Sequence, residues 1–153
     1  MHLTMDIEIE TTRFGRLTAD EEALLTFPDG LPGFAGARRF VPVPHGDDSP
    51  FVWLQSAERP ELAFLLLSPG GAFPDYAPPL PADTAPDAAL WVIVTVPPGD
   101  ARAMTANLLG PLVIEGQARR GRQIILDGDR YSTKHRVLPA GASSAGAAAG
   151  AGR

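Results

Sequence analysis

Met5-Asp6-Ile7-Glu8-Ile9-Glu10 alternates apolar and acidic side chains residue by residue. A period of two sends successive side chains to opposite faces of an extended chain, so this stretch reads as a strand with one apolar and one acidic face. The same signature returns at short intervals along the chain. Glu22–Phe27, Arg38–Val43, Phe51–Ser56, Leu62–Leu67, Leu90–Val96, Leu112–Glu115, Arg122–Leu126 and Arg130–His135 are rich in Val, Ile, Leu, Phe and Thr, and turn residues separate them. Phe51–Leu54, Leu62–Leu67 and Trp91–Val96 are apolar almost without interruption, as strands covered on both faces are.

The punctuation agrees. Phe27–Phe34 reads FPDGLPGF, where Pro fixes φ and Gly admits positive φ, so it is a turn. Asp127-Gly128 between two strand candidates signals a tight hairpin. The proline-rich segment Ser68–Pro86 suits neither a regular strand nor a long helix and is expected to run over the surface as a loop. Thr84–Ala89 is compatible with one helical turn, and Ala101–Leu108 with a short helix ended by Gly110-Pro111. Many short strands with such breaks predict an all-β fold: a small closed or partly open antiparallel β-barrel-like domain with one or two short helices. The folded domain is expected over residues 1–138. Residues 139–153, almost entirely Ala, Gly and Ser, are expected to form a disordered tail with little apolar area to bury.

A chain of 153 residues suits one domain. Apolar residues make up 44% and charged residues 20%, enough for a sizeable core. No apolar run approaches the ~20 residues that span a bilayer, and Met1–Glu10 lacks the basic start and apolar stretch of a secretory signal. A cytoplasmic protein with no membrane partner is expected. The absence of cysteine excludes disulfides, thiolate metal sites and cysteine nucleophiles. The net charge of −5 opposes wrapping a polyanion. The charge is uneven: Asp6, Glu8, Glu10, Asp20, Glu21 and Glu22 lie early, and Arg119, Arg120, Arg122, Arg130, Lys134 and Arg136 late. An acidic face can attract a basic protein, or simply keep the chain soluble.

Motifs for catalysis are missing. His2, His45 and His135 are scattered, without ligand spacing. His45-Gly46-Asp47-Asp48 has the residue types of a metal or base–carboxylate cluster, as a hydrolase or metal enzyme would need, but fits a polar turn better. No G-x-S-x-G elbow, dinucleotide fingerprint or Walker-type loop is present. No catalytic residue, metal site or cofactor is expected. Arg119-Arg120-Gly121-Arg122, with Tyr131 and Lys134 beyond, is the one stretch with the cations and ring of an RNA-binding patch, the main alternative function.

A series of short blocks resembles the flagellar assembly factor FliW family. In chain order they are Phe27–Phe34 (FPDGLPGF), Ser49–Ser56 (SPFVWLQS), Ala63-Phe64, Phe73–Tyr76 (FPDY), Ile93–Pro97 (IVTVP), Thr105–Leu108 (TANL), Gly110–Ile114 (GPLVI), Gly121–Leu126 (GRQIIL) and Tyr131–His135 (YSTKH). Their order and spacing over residues 1–136 make the resemblance specific. Gly110 stands where the family commonly has Ala, and Glu115 where it often has Asn. The resemblance implies a β-barrel-like domain without catalytic activity. It implies binding to the translational repressor CsrA, which relieves repression of flagellin messenger RNA, and binding to flagellin, which competes for the same pool. It implies no direct nucleic-acid contact, and a monomer is expected in the absence of partners.

Partner-binding candidates follow from position. Phe34, Phe73, Asp75 and Tyr76 lie in or beside Pro/Gly loops, where aromatic anchors often carry interface energy. Asn107 is the polar residue of the TANL block, and Tyr131, Thr133 and His135 are expected on one face of the last strand. Each also has a plain structural role open to it: a ring that plugs a barrel end, an Asn that caps a turn, a strand-end histidine.

Overall fold

The alternation at the N-terminus becomes the first strand, β1 (Asp6–Thr11), which pairs antiparallel with β2 (Gly15–Asp20) in the register Ile9↔Leu17 and Glu10↔Arg16. A computed structural model describes residues 5–31 and 33–137 of the chain; the tail expected over residues 139–153 and the proline at position 32 lie outside the described residues. The Thr11 hydroxyl ties the β1–β2 turn, donating to the Gly15 carbonyl at 2.7 Å and accepting from the Phe14 N–H at 2.7 Å. β2 was not foreseen. Where a strand was expected over Glu22–Phe27, the Asp20 side chain accepts the Glu22 N–H and caps a single 3-10 turn, Glu21–Ala23, so that only β3 (Leu25–Thr26) is extended.

A meander follows: β4 (Arg39–Pro44), β5 (Phe51–Ser56), β6 (Ala63–Leu67) and β7 (Ala88–Thr95), each antiparallel to the last. The Glu58 carboxylate fixes the entry to β4 by accepting the N–H groups of Arg38 and Arg39, and the Arg38 bond holds its pKa below the ordinary carboxylate value. β7 pairs through its first half with β9 (Leu112–Glu115) and through its end with β8 (Thr105–Ala106). β9 turns into β10 (Arg120–Gln123), and β10 meets β3 in parallel, Arg120↔Thr26, with the Thr26 N–H donating to the Arg119 carbonyl at 2.9 Å. That contact closes the ring β3-β4-β5-β6-β7-β9-β10. The all-β expectation holds, and the barrel is a closed seven-stranded one.

Several local expectations give way to tertiary pairing. Ala101–Leu108 is not a helix: a 3-10 turn over Ala101–Ala103 leads into β8, which β7 and β11 (His135–Arg136) hold extended. Thr84–Ala89 forms no helical turn, because Ala88 and Ala89 are drawn into the ladder with β9. β10 starts earlier and stops earlier than Arg122–Leu126; the N–H groups of Ile124 and Leu126 bond instead to the Pro111 and Leu109 carbonyls. Gly128 takes φ 88°, but Asp127-Gly128 does not join a hairpin. The partners of β10 are β9 and β3, while β11 pairs with β8. The FPDGLPGF turn holds: Gly30 has φ 72°, and a β-carbon there would meet the Ala35 backbone at 2.6 Å.

The interior of the barrel is a core of Phe27, Phe40, Leu54, Leu66 and Leu112, all at most 1% exposed, with the rings of Phe27 and Phe40 edge-to-face at 5.6 Å. Two further apolar clusters lie on the outside of the sheet. The β1–β2 ribbon covers β4 through Ile9, Leu24 and Val41. The loops around Phe73 and Tyr131 cover Leu67, Val92 and Val94. At Gly121 on β10 a β-carbon would stand 2.4 Å from the Phe27 ring. We expect Gly121→Ala to destabilise the protein by about 1–3 kcal/mol through overpacking, seen as a lower urea midpoint; an unchanged midpoint would show that the ring moves aside at no cost.

Candidate functional site

The residues singled out in the sequence fall into three places. Phe73, Tyr76, Tyr131 and His135, far apart in the chain, converge on one outer flank of the barrel. Tyr76 and Tyr131 meet edge-to-face at 4.9 Å, and His135 lies 6.2 Å from Tyr131 and 6.3 Å from Phe73. Local bonds position them. The Phe73 N–H donates to the Pro69 carbonyl and the Tyr76 N–H to the Phe73 carbonyl, which curls the proline-rich loop onto the sheet. On the other side the Ser132 carbonyl accepts the N–H groups of Leu108 and Leu109, and His135 pairs with Ala106 at the sheet edge. The result is an aromatic cap over Leu67, Val92, Met104 and Leu108. The Tyr76 hydroxyl donates to the Leu108 carbonyl at 2.6 Å. Burial, and secondarily the Tyr131 hydroxyl, pushes the Tyr76 pKa well above its ordinary value of 10.0.

The expected strand over Arg130–His135 is mostly turn; only His135 and Arg136 are extended. Tyr131 and His135 therefore meet through a turn rather than through a strand period, and Thr133 is exposed outside the ring cluster. Asp75 is exposed on the loop between Phe73 and Tyr76. The Arg130 guanidinium lies 5.4 Å over the Tyr131 ring. Asn107 works locally, its Oδ1 accepting the Gly110 N–H at 2.8 Å, which shapes the turn before β9. Phe34 is elsewhere, edge-to-face with Phe64 at 5.9 Å and beneath the Arg59 guanidinium at 5.7 Å, where it closes one side of the barrel core.

The β1–β2 ribbon forms the second surface. Its apolar face lies on β4, and its outward face carries Asp6, Glu8 and Glu10, aligned in register with Asp20, Thr18 and Arg16. Arg16 bonds Glu10 at 2.7 Å and Glu8 at 3.6 Å, one cation among several exposed carboxylates, with Glu21 and Glu22 just beyond. The basic run near the C-terminus is different. Arg122 pairs with Asp83 at 2.8 Å and Arg120 with Glu115 at 3.6 Å, and Arg119 takes φ 52° in the β9–β10 turn. Asp83 is held below its ordinary pKa by the Arg122 hydrogen bond. With two of its three arginines matched by carboxylates, the Arg119–Arg122 stretch offers a polyanion reduced net charge. His45 sits in an exposed turn with its ring 6.3 Å from Phe51, and among the described residues no group of His, Asp and Glu is arranged to hold a metal.

Sequence reasoning missed one pairing altogether. The Arg13 guanidinium, from the β1–β2 turn, stacks 4.0 Å over the Trp53 ring of β5, with Phe14 edge-on at 6.2 Å. The available signal was a Trp in an apolar run, at a position facing away from the barrel interior.

A model of the FliW protein family matches residues 8–137. The flagellar assembly factor FliW of Moorella thermoacetica is 42% identical over 141 residues, covering 86% of this chain and 89% of the relative. That of Heliobacterium modesticaldum is 40% identical over 146 residues, covering 90% and 95%. A crystal structure of the flagellar assembly factor FliW matches with a TM-score of 0.78 and 36% identity, covering 87% of this chain and 98% of the other.

The Tyr76 bond generates a test. The raised pKa means that folding favours the neutral phenol, so this contribution is fully present below the unfolded value of 10.0 and is lost as pH rises above it. Tyr76→Phe should cost about 1 kcal/mol at neutral pH and should flatten the loss of stability above pH 10.0. Denaturant melts across pH 7–11 check both; identical alkaline slopes in the two proteins would contradict the assignment.

Proposed function

The chain belongs to the FliW family of flagellar assembly factors, so its role lies in regulating flagellar assembly; within that role we propose that it binds the translational repressor CsrA, lifts CsrA's repression of flagellin messenger RNA, and binds flagellin in exchange. The observation that carries this reading is the family match over residues 8–137, nearly the whole folded domain. The circuit needs no catalysis. Flagellin and CsrA draw on one pool of this protein, so each partner ties up molecules the other would use. Such exchange belongs in the cytoplasm, where messenger RNA and unexported flagellin coexist, and a monomer serves it. In this reading residues 139–153 take no part.

Physical chemistry supports particular surfaces. The outward face of the β1–β2 ribbon is acidic and rigidly held, and suits a basic, RNA-binding repressor. The rim of the aromatic cap, with Asp75, Thr133 and the half-exposed rings of Phe73 and His135, is the second contact region. Phe34, Tyr76 and Asn107 hold the scaffold, and Tyr131 joins the rim to it.

Calorimetric titration of the full chain with CsrA, and separately with flagellin, tests the reading, and heat from RNA alone would count against it. Reversing Glu8 and Glu10 to Lys should weaken CsrA binding roughly tenfold or more at low salt, with a smaller effect as ionic strength rises. The melting temperature should change little, because the Arg16 pairs are exposed. Unchanged affinity at low salt would remove the ribbon from the interface; no binding to either partner by the unmodified protein would remove the proposed function itself.

A further inference from the structure

β6 and β7 part company before either strand ends. Their pairing runs from Leu67↔Val92 to Leu65↔Val94 and stops. Yet β6 begins further back, at Ala63, where it is still paired with β5 through Gln55↔Ala63 and Leu54↔Phe64. β7 continues to Thr95, held on its other side by β8. Pro97, with no N–H to give, follows shortly after. The strands diverge into an open cleft of about 550 Å³ bounded by Phe64, Leu65, Thr95 and Val96, with Trp53 and Arg13 beside them. That volume lies within the range of about 300–1,000 Å³ typical of ligand clefts.

Three features of the cleft point to one class of occupant. First, Ala63 at the start of β6 has no strand partner on its β7 side among the described residues, whereas Phe64 turns its backbone groups to Leu54 of β5, and an unpaired strand edge is a template for an added extended chain. Second, the walls are apolar: Trp53, Leu65 and Val94 are register neighbours on the outer face of the sheet, and Val96 is 40% exposed. Third, Arg13 stacks on Trp53 at the edge of this cleft with no carboxylate of the described residues in ion-pair range. A guanidinium held over an indole at the edge of an apolar cleft is a ready receptor for a carboxylate.

We propose that this cleft is a docking site for an extended segment of another protein that carries alternating apolar side chains and a carboxylate. The segment's main chain bonds the free edge of β6, its apolar side chains lie over Trp53 and Leu65, and its carboxylate pairs with Arg13. A nucleic acid does not fit, since the walls are apolar and the cleft offers one cation. A second copy of this chain does not fit either. Its own segment of matching composition, β1, has Ile9 buried against β4 at 3% exposure.

The probe is a fluorescein-labelled peptide, Lys-Thr-Val-Thr-Leu-Thr-Asp, and a counterpart with Lys in place of the final Asp, each titrated with the full chain by anisotropy. The Asp peptide should saturate with a Kd on the order of 10–100 μM, and the Lys peptide should bind at least tenfold more weakly. Arg13→Glu should reverse that order, and Val96→Asp should abolish binding of both. Arg13 and Val96 are exposed, and unchanged melting curves would confirm that both variants fold. No saturation by about 1 mM overturns the proposal, as does equal binding of the two peptides. A dimer in sedimentation that Val96→Asp dissociates also overturns it, and gives the cleft to a second copy.

Discussion

The Phe27 ring occupies the space where a side chain at position 121 would stand. The barrel closes through this contact, because Gly121 lies on β10 and Phe27 follows β3, the two strands whose single parallel pair completes the ring. A short parallel contact is weak by itself. Burying a Phe side chain completely stabilises by about 1.5–3 kcal/mol, and Phe27 is fully buried against Phe40. Packing therefore holds the seam more than hydrogen bonding does. Everything carried on the outside of the barrel, the ribbon, the aromatic cap and the β6–β7 cleft, depends on that closure for a fixed place.

A closed barrel presents rigid outer faces at little ordering cost, which suits the partner exchange proposed for this protein. Its faces differ in chemistry: the ribbon is acidic, the cap is aromatic with Tyr76 locked to the Leu108 carbonyl, and the cleft is apolar with the Arg13 guanidinium over Trp53 at its edge. Two arginines of the late basic run, Arg120 and Arg122, are matched by Glu115 and Asp83, so that part of the run carries less net charge than its sequence suggests.

The strands of the meander were legible because they are long and strongly patterned. Phe51–Ser56 was placed to the residue, and Leu62–Leu67 to within one, by apolar content alone. β2 escaped notice: in Gly15–Asp20 the apolar positions are only Leu17 and Ala19, too little signal without β1 beside it. β3, β8 and β11 are two-residue strands that exist because a neighbour pairs with them, and Ala-rich Ala101–Leu108 was read as helix for want of that neighbour. The site was half legible. Phe73 and Tyr76 were read as loop rings and Tyr131 and His135 as neighbours on a last strand; that the four converge was not foreseen, because turns rather than a strand period bring them together. Asn107 and Phe34 turned out to serve the turn and the core. The Arg13–Trp53 stack was not readable, since it depends on how the ribbon lies on the barrel, and that is set by Ile9, Leu24 and Val41 packing across elements.

The central claim is that partners bind the outer faces of an unchanging barrel. Amide hydrogen exchange of the full chain, alone and saturated with CsrA or with flagellin, measures this most directly. The account predicts added protection on β1 and β2 with CsrA, and unchanged exchange at Phe40, Leu54 and Leu66 inside the barrel with either partner. Loss of protection at those interior amides, or a ribbon that CsrA leaves untouched, would contradict it.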